Sequence, residues 1–231
     1  MTLPTKKLEK KLILRGYDYI CGVDEVGMGS LAGPVVVCAV LFKKKFYQKN
    51  YRELSGIRDS KLLRPAQREL FFNRLKQIPR FRFAISYCYP ETIDRINIYR
   101  AARLAMKRAV EKILKSATLS FYHDRGKMIV SKKRRHKKIV VLVDGPAKIA
   151  GINLPQLPII KGDRRVFAIA CASILAKVRR DKMMIYYAKR FPGYGFEKHK
   201  GYGTKYHRIQ LTTLGPSCIH RFSFAPVMKL G

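Results

Sequence analysis

Two adjacent carboxylates, Asp24 and Glu25, stand directly before a glycine cluster in GVDEVGMGSLAGPVVV, residues 22–37. Two chemistries fit such a stretch. One is a loop whose backbone amides cradle a nucleotide's phosphates; the other is an acidic site that holds a divalent cation and acts on a phosphate. A dinucleotide loop needs a strand, glycines spaced GxGxxG, and then a helix whose N-terminal amides face the pyrophosphate. Gly27, Gly29 and Gly33 lack that spacing, and Pro34 leads into the β-branched run VVVCAVLF, which predicts a strand. Asp24 and Glu25 would also repel a pyrophosphate unless a cation intervened. The nucleotide-loop reading is therefore the weaker one.

An acidic site makes its own demand on the backbone. Successive strand side chains point to opposite faces, so Asp24 and Glu25 can serve one site only if the strand ends or bends between or just after them. Gly27 and Gly29 permit that bend and let backbone amides approach a substrate closely. Taken alone, Asp-Glu before a glycine turn is also an ordinary exposed strand end. Two further carboxylates change the balance. Asp144 closes the apolar run IVVLV, at the end of a strand where ligands of open α/β sheets bind, and Asp163 follows a short strand in IIKGDRR. Four acidic side chains at strand ends predict one cluster. Like-charge repulsion makes such a cluster costly unless divalent cations bind, and oxygen-only donors select Mg²⁺ or Mn²⁺ over zinc.

The elements that position these residues alternate short β-rich runs with longer helical stretches. Strands are expected at 17–24, 34–42, 81–89, 139–143 and 157–160, and helices at 65–77, 93–115, 167–188 and 205–214. IVVLVD is apolar without alternation and predicts a central strand covered on both faces. Pro65 suits a first helical position, and Thr92 is a candidate N-cap for the second helix. The sum is an α/β fold: a mixed sheet flanked by helices, then a mainly helical C-terminal extension. The division expected is residues 1–190 for the sheet domain and 191–231 for an extension packed on it.

Lys and Arg outnumber Asp and Glu by 49 to 15 in the 231 residues, a formal charge of +34 spread over most of the chain. Such a field attracts polyanions, with nucleic acid as the leading partner. No apolar run is long enough to span a bilayer, no long basic amphipathic helix suggests a membrane surface, and no secretory segment is visible. Five cysteines, Cys21, Cys38, Cys88, Cys171 and Cys218, form no CxxC and read as mostly buried thiols of a cytoplasmic protein. His199, His207 and His220 with Cys218 match no common structural zinc spacing, so packing or phosphate contact is expected of them. The basic segment SKKRRHKK, residues 131–138, reads as an exposed loop, with an extra nucleic-acid contact as the functional alternative.

Beyond these residues, the ordered blocks GVDEVGMGSLAGPVV, RDSKLL, LVDG, IIKGDRRVFAIACASILAKVRRD and YGFEKHKGYGTKYHRIQLTTLGPSCIHRFSFAPV resemble those of ribonuclease HII, the prokaryotic type 2 ribonuclease H. The resemblance implies a ribonuclease H-like sheet on which Asp24, Glu25, Asp144 and Asp163 hold two Mg²⁺ or Mn²⁺ ions. It selects Asp163 over Asp181, which is expected on a helix surface. It implies a monomer hydrolysing the RNA strand of RNA–DNA hybrids, or cutting 5′ of ribonucleotides embedded in duplex DNA, to leave 3′-hydroxyl and 5′-phosphate ends. The amides at Gly27, Met28 and Gly29 and the ring of Tyr202 are the implied ribose readers, the bland alternative for Tyr202 being a partly buried core tyrosine. Ser60 and Lys61 are expected on phosphate, the alternative being that Asp59 or Ser60 caps a turn; Lys161, Arg164 and Lys177 are expected along the phosphate path. The family's Gly-Arg-Gly motif departs here to Gly-Met-Gly with Ser30 in place of proline, which removes a side-chain phosphate contact while keeping the amides. Ribonuclease HIII shares the chemistry. A non-catalytic basic RNA-binding or ribosome-assembly protein would account for the charge but not for the placement of the carboxylates.

Overall fold

A computed structural model describes residues 3–119 and 138–229. The expected basic loop at 131–138 falls outside them apart from Lys138. The chain opens with helix α1 (Lys7–Leu14) and strands β1 (Tyr19–Val26) and β2 (Val35–Lys43). Helix α2 (Pro65–Gln77), strand β3 (Arg82–Cys88) and helices α3 (Pro90–Ile96) and α4 (Ile98–Leu119) follow. After them come β4 (Ile139–Asp144), β5 (Gln156–Ile159), α5 (Phe167–Arg190), α6 (Phe196–His199), α7 (Lys205–Leu214) and α8 (Ala225–Met228).

The five strands form one mixed sheet in the order β3-β2-β1-β4-β5. β1 pairs antiparallel with β2, and β2 with β3, while β4 lies parallel to both β1 and β5. The period of two along the strands divides the core into two layers. Ile20, Val36, Cys38, Val40, Phe42, Val140 and Leu142 face the α5 side. Cys21, Val23, Val35, Val37, Ala39, Leu41, Val141 and Val143 face α4. Both faces of β1, β2 and β4 are thus covered, which is why these strands read as continuous apolar runs. Helix α5 packs so tightly on β1 that a Cβ added at Gly22 would lie 2.5 Å from the Ala168 carbonyl carbon.

Two expectations are corrected. The helix expected at 93–115 is two helices: Pro90 occupies the first turn of α3, so Thr92 is not its cap, and Asn97 breaks the run at φ 65°. Asn97 then caps α4, its Oδ1 accepting the Arg100 amide at 3.0 Å. Helix α1 was not expected at all. The remaining strand and helix ends shift by one or two residues, with β4 extending to include Asp144. Cys21, Cys38, Cys88 and Cys171 are buried and Cys218 is exposed. Among the described residues no helix is long and apolar enough to cross a membrane.

The chain after α5 folds back over the loop that follows β1. Gly201 O accepts the amides of Leu31 and Ala32 at 2.8 and 3.3 Å, and the Gly33 amide donates to Ile219 O at 2.8 Å. Antiparallel bridges join Ser30 to Tyr202 and Ala32 to His220. Apolar contacts among Ala32, Met184, Tyr194, Phe196 and Ile219 close that junction.

Candidate active site at the strand ends

Alternation along β1 puts Asp24 on the α5 side and Glu25 on the α4 side, and the strand runs on to Val26 before turning at Gly27, whose φ is 96°. Side-chain reach overcomes the alternation. Ligand oxygens of Asp24, Glu25 and Asp144 all lie within 4.8 Å of one another. The parallel register of β1 and β4, with Val23 beside Val143, brings Asp144 alongside Asp24. The Asp144 carboxylate is held from the next loop, where the Gly162 amide donates to its Oδ1 at 2.6 Å. A Cβ at Gly162 would crowd both that oxygen, at 3.2 Å, and the Ile169 side chain, at 2.5 Å, so a larger residue there would have to displace Ile169. Asp163, next in the chain, is buried in a single 3₁₀ turn. It stands outside the three-residue group but lines the same cavity, a cleft of about 240 Å³.

The electrostatics are those of a site short of positive charge. Burial, then the neighbouring Glu25 and Asp144, raises the Asp24 carboxyl well above its usual range, and the Ser173 hydroxyl offsets this in part. Burial and Asp144 push Glu25 up to about 7, against the opposing pull of Arg103. Asp163 is raised by burial, Asp59 and Asp144. Glu25 Oε2 is buried without a hydrogen-bond partner among the described residues. An unpaired buried carboxylate oxygen in an all-oxygen cluster is the donor set of a hard divalent cation. A cation there would hold the carboxylates ionised.

Gly27, Met28, Gly29, Ser60, Lys61 and Tyr202 line the cavity with the four carboxylates. Asp59 caps the Ser60 turn, its Oδ1 accepting the Lys61 amide at 2.9 Å, and its Oδ2 accepts from Arg164 Nε at 3.0 Å. Although partial burial works against its charge, Asp59, Asp163 and Asp24 together raise the Lys61 pKa. Lys161, Arg164 and Lys177 do not line the cleft. Lys161 is exposed at φ 55°, and Lys177 pairs with Asp181 at 2.8 Å with its ammonium 5.8 Å from the Tyr202 ring centre. Asp181 is not the surface residue expected of it: it is half-buried between Lys177 and Arg68, the latter at 3.3 Å. Lys177 lies one turn earlier on the same helix, but the second cation, Arg68 of α2, is supplied by the tertiary arrangement.

Several site residues escaped the sequence reading. Ser173 lines the cavity and shares a 2.9 Å hydrogen bond with Ser60; a lone hydroxyl in the small-residue run FAIACAS was the available signal. Arg180 and Arg221 are fully buried beneath the glycine loop, where they donate to carbonyl oxygens and lie over the rings of Tyr202 and Phe224, a role that no spacing reveals among 49 basic residues. The three histidines bind one another and the backbone. His207 Nδ1 donates to Tyr202 O at 2.9 Å, so its Nε2 accepts from His220 Nε2 at 3.1 Å, and His220 Nδ1 accepts the Ser217 amide at 2.9 Å. Burial lowers both pKa values to about 4, which keeps this chain neutral and fixes the carbonyl of Tyr202.

A model of the family Ribonuclease HII matches residues 21–227. The chain belongs to the ribonuclease HII family. It is 42% identical over 218 residues to the ribonuclease HII of Caldicellulosiruptor bescii, covering 94% of this chain and 92% of that one. It is 43% identical over 230 residues to that of Acholeplasma laidlawii, covering 100% and 98%. The fold is that of ribonuclease H2 from Pyrococcus horikoshii, with a TM-score of 0.61 at 21% identity over 92% of this chain and 96% of that one. Ribonuclease HIII in complex with Mn²⁺, designated Bst, superposes with a TM-score of 0.61 at 15% identity, covering 93% and 70%. Membership makes the protein a nuclease, and the ribonuclease H-like fold expected of the chain is the one observed.

Proposed function

We propose that the acidic cleft hydrolyses the RNA strand of RNA–DNA hybrids and cuts duplex DNA on the 5′ side of an embedded ribonucleotide. The products would carry 3′-hydroxyl and 5′-phosphate ends. The observation that carries the reading is the convergence of Asp24, Glu25 and Asp144 within 4.8 Å at the strand ends. A protein that only bound RNA would have no use for buried, mutually repelling carboxylates in a chain of +34.

In this reading Asp24, Glu25 and Asp144 hold divalent cations, Mg²⁺ or Mn²⁺, and Asp163 completes the set from the facing wall. When bound, such ions neutralise the scissile phosphate, acidify an attacking water and stabilise the departing 3′ oxygen. The chain supplies placement. Gly162 fixes Asp144, Ser173 and Ser60 support the floor beside Asp24, and Lys61 at the rim meets the phosphate. The glycine-loop amides and the Tyr202 ring face the sugar, whose 2′-hydroxyl distinguishes RNA from DNA.

The test replaces charge at constant shape. Asp144→Asn and Asp163→Asn are expected to fold, to bind a hybrid within a few-fold of the parent, and to lose at least a thousandfold in turnover. Cleavage retained by both variants would remove the assignment. Metal-independent binding without cleavage by the parent protein would favour the RNA-binding alternative.

A further inference from the structure

Arg221 has no place in the chemistry above, yet it is fully buried and its guanidinium is spent on the glycine loop. Nε and Nη2 donate to Gly33 O at 3.0 and 2.9 Å, and Nη1 donates to Met28 O at 3.0 Å. Its own backbone is anchored on both sides. The Arg221 amide donates to Leu31 O at 2.8 Å, and Asp94 in α3 accepts the amides of Phe222 and Ser223 at 3.0 and 2.9 Å.

The bond to Met28 has a geometric consequence. In a planar trans peptide the carbonyl and the following N–H point in opposite directions. With Met28 O turned inward to Arg221, the Gly29 N–H of the same peptide is turned outward. Gly29 lines the acidic cavity, and a Cβ built on it would meet nothing within 4 Å. Among the described residues no protein group accepts the N–H of Met28 or of Gly29. An oriented, unshared donor beside a carboxylate site is suited to an incoming hydroxyl oxygen.

Building on the function proposed above, we infer that Arg221 is a positioning residue for ribose recognition: by holding the Met28 carbonyl it aims the Gly29 amide at the 2′-hydroxyl of the substrate. Discrimination between RNA and DNA is thereby set from the C-terminal segment of the chain. The donor is aimed through the backbone and needs no side chain at position 28, which is why methionine is compatible with it. The Met28 side chain packs against the apolar layer on the α4 side of the sheet.

The experiment compares the full-length parent with Arg221→Lys, which keeps the charge but cannot span two carbonyls in the same way. Two quantities are read well below the thermal transition: kcat/KM on duplex DNA with one ribonucleotide, and the inhibition constant of the matching all-DNA duplex. The expected result is at least a tenfold fall in kcat/KM with the inhibition constant unchanged within twofold. A purely structural role would move both together, or neither, and either pattern in a folded variant overturns the inference. Should Arg221→Lys not fold, Asp94→Ala frees the 222–223 amides near the surface and is expected to give the same split at reduced size; an unchanged kcat/KM there overturns it equally. Failure of the parent to cleave either substrate would count against the proposed nuclease reading and is seen before any variant is made.

Discussion

Glu25 gives the cleft its clearest pH signature. Its folded pKa of about 7 lies above the usual 4.5, so the cation-free protein gains stability from the proton on this group at low pH and loses that contribution as pH rises through 7. Glu25→Gln removes the titration while keeping the shape. In a chelator, the variant is expected to melt several degrees above the parent at pH 8 and at the same temperature below pH 4.5. A divalent cation is expected to raise the parent's Tm at pH 8 and to do so less at pH 5, where it competes with the proton. Melting curves of both proteins at the two pH values check this, and a variant less stable than the parent at pH 8 would contradict it. That the four carboxylates meet at one cleft was legible because Asp24 and Asp144 close apolar runs, Glu25 follows Asp24 and Asp163 adjoins glycine. Arg221, Arg180 and the Arg68 pairing of Asp181 were not, because their meaning lies in contacts 20 to 193 residues away along the chain.

Helix α5 and strand β1 form the element pair on which the cleft rests, with Ser173 from one facing Asp24 from the other. Their approach is set by Gly22, where an added Cβ would meet the backbone of Ala168 at 2.5 and 2.6 Å, contacts that no side-chain rotation relieves. Gly22→Ala is therefore expected to cost ~1–3 kcal/mol or more of stability and to lower activity by displacing α5. Urea titration reads the first and cleavage the second; an alanine variant as stable as the parent would contradict this packing. Apolar period and glycine placement made all five strands legible. The break at Asn97 was missed because the apolar pattern of α4 continues through it, so periodicity does not register a single residue at positive φ. Helix α1 was missed because its one buried charged residue, Glu9, hides the apolar face: the carboxylate is turned inward, where its Oε1 accepts the Ala168 amide at the start of α5 at 3.0 Å.

The whole molecule carries +34 around a cleft lined by four carboxylates, and the two charges have separate uses. In the proposed function the basic surface would draw in a polyanion without regard to sequence, and the cleft would select what is cut. Affinity for an all-DNA duplex and for a hybrid is accordingly expected to fall together with salt. For roughly six to ten phosphate contacts the loss is about a thousandfold or more between 50 and 200 mM. A salt-insensitive affinity, measured by fluorescence anisotropy, would contradict this use of the charge. The claim that joins surface to cleft is cleavage at a ribonucleotide, and one assay tests it most directly. Duplex DNA bearing a single ribonucleotide is incubated with the protein in Mg²⁺, Mn²⁺ or chelator, beside an all-DNA duplex and an RNA–DNA hybrid. The account predicts cation-dependent incision on the 5′ side of the ribonucleotide, leaving 3′-hydroxyl and 5′-phosphate ends, with the all-DNA duplex intact. Tight binding to all three without cleavage of any, in either cation, would contradict it.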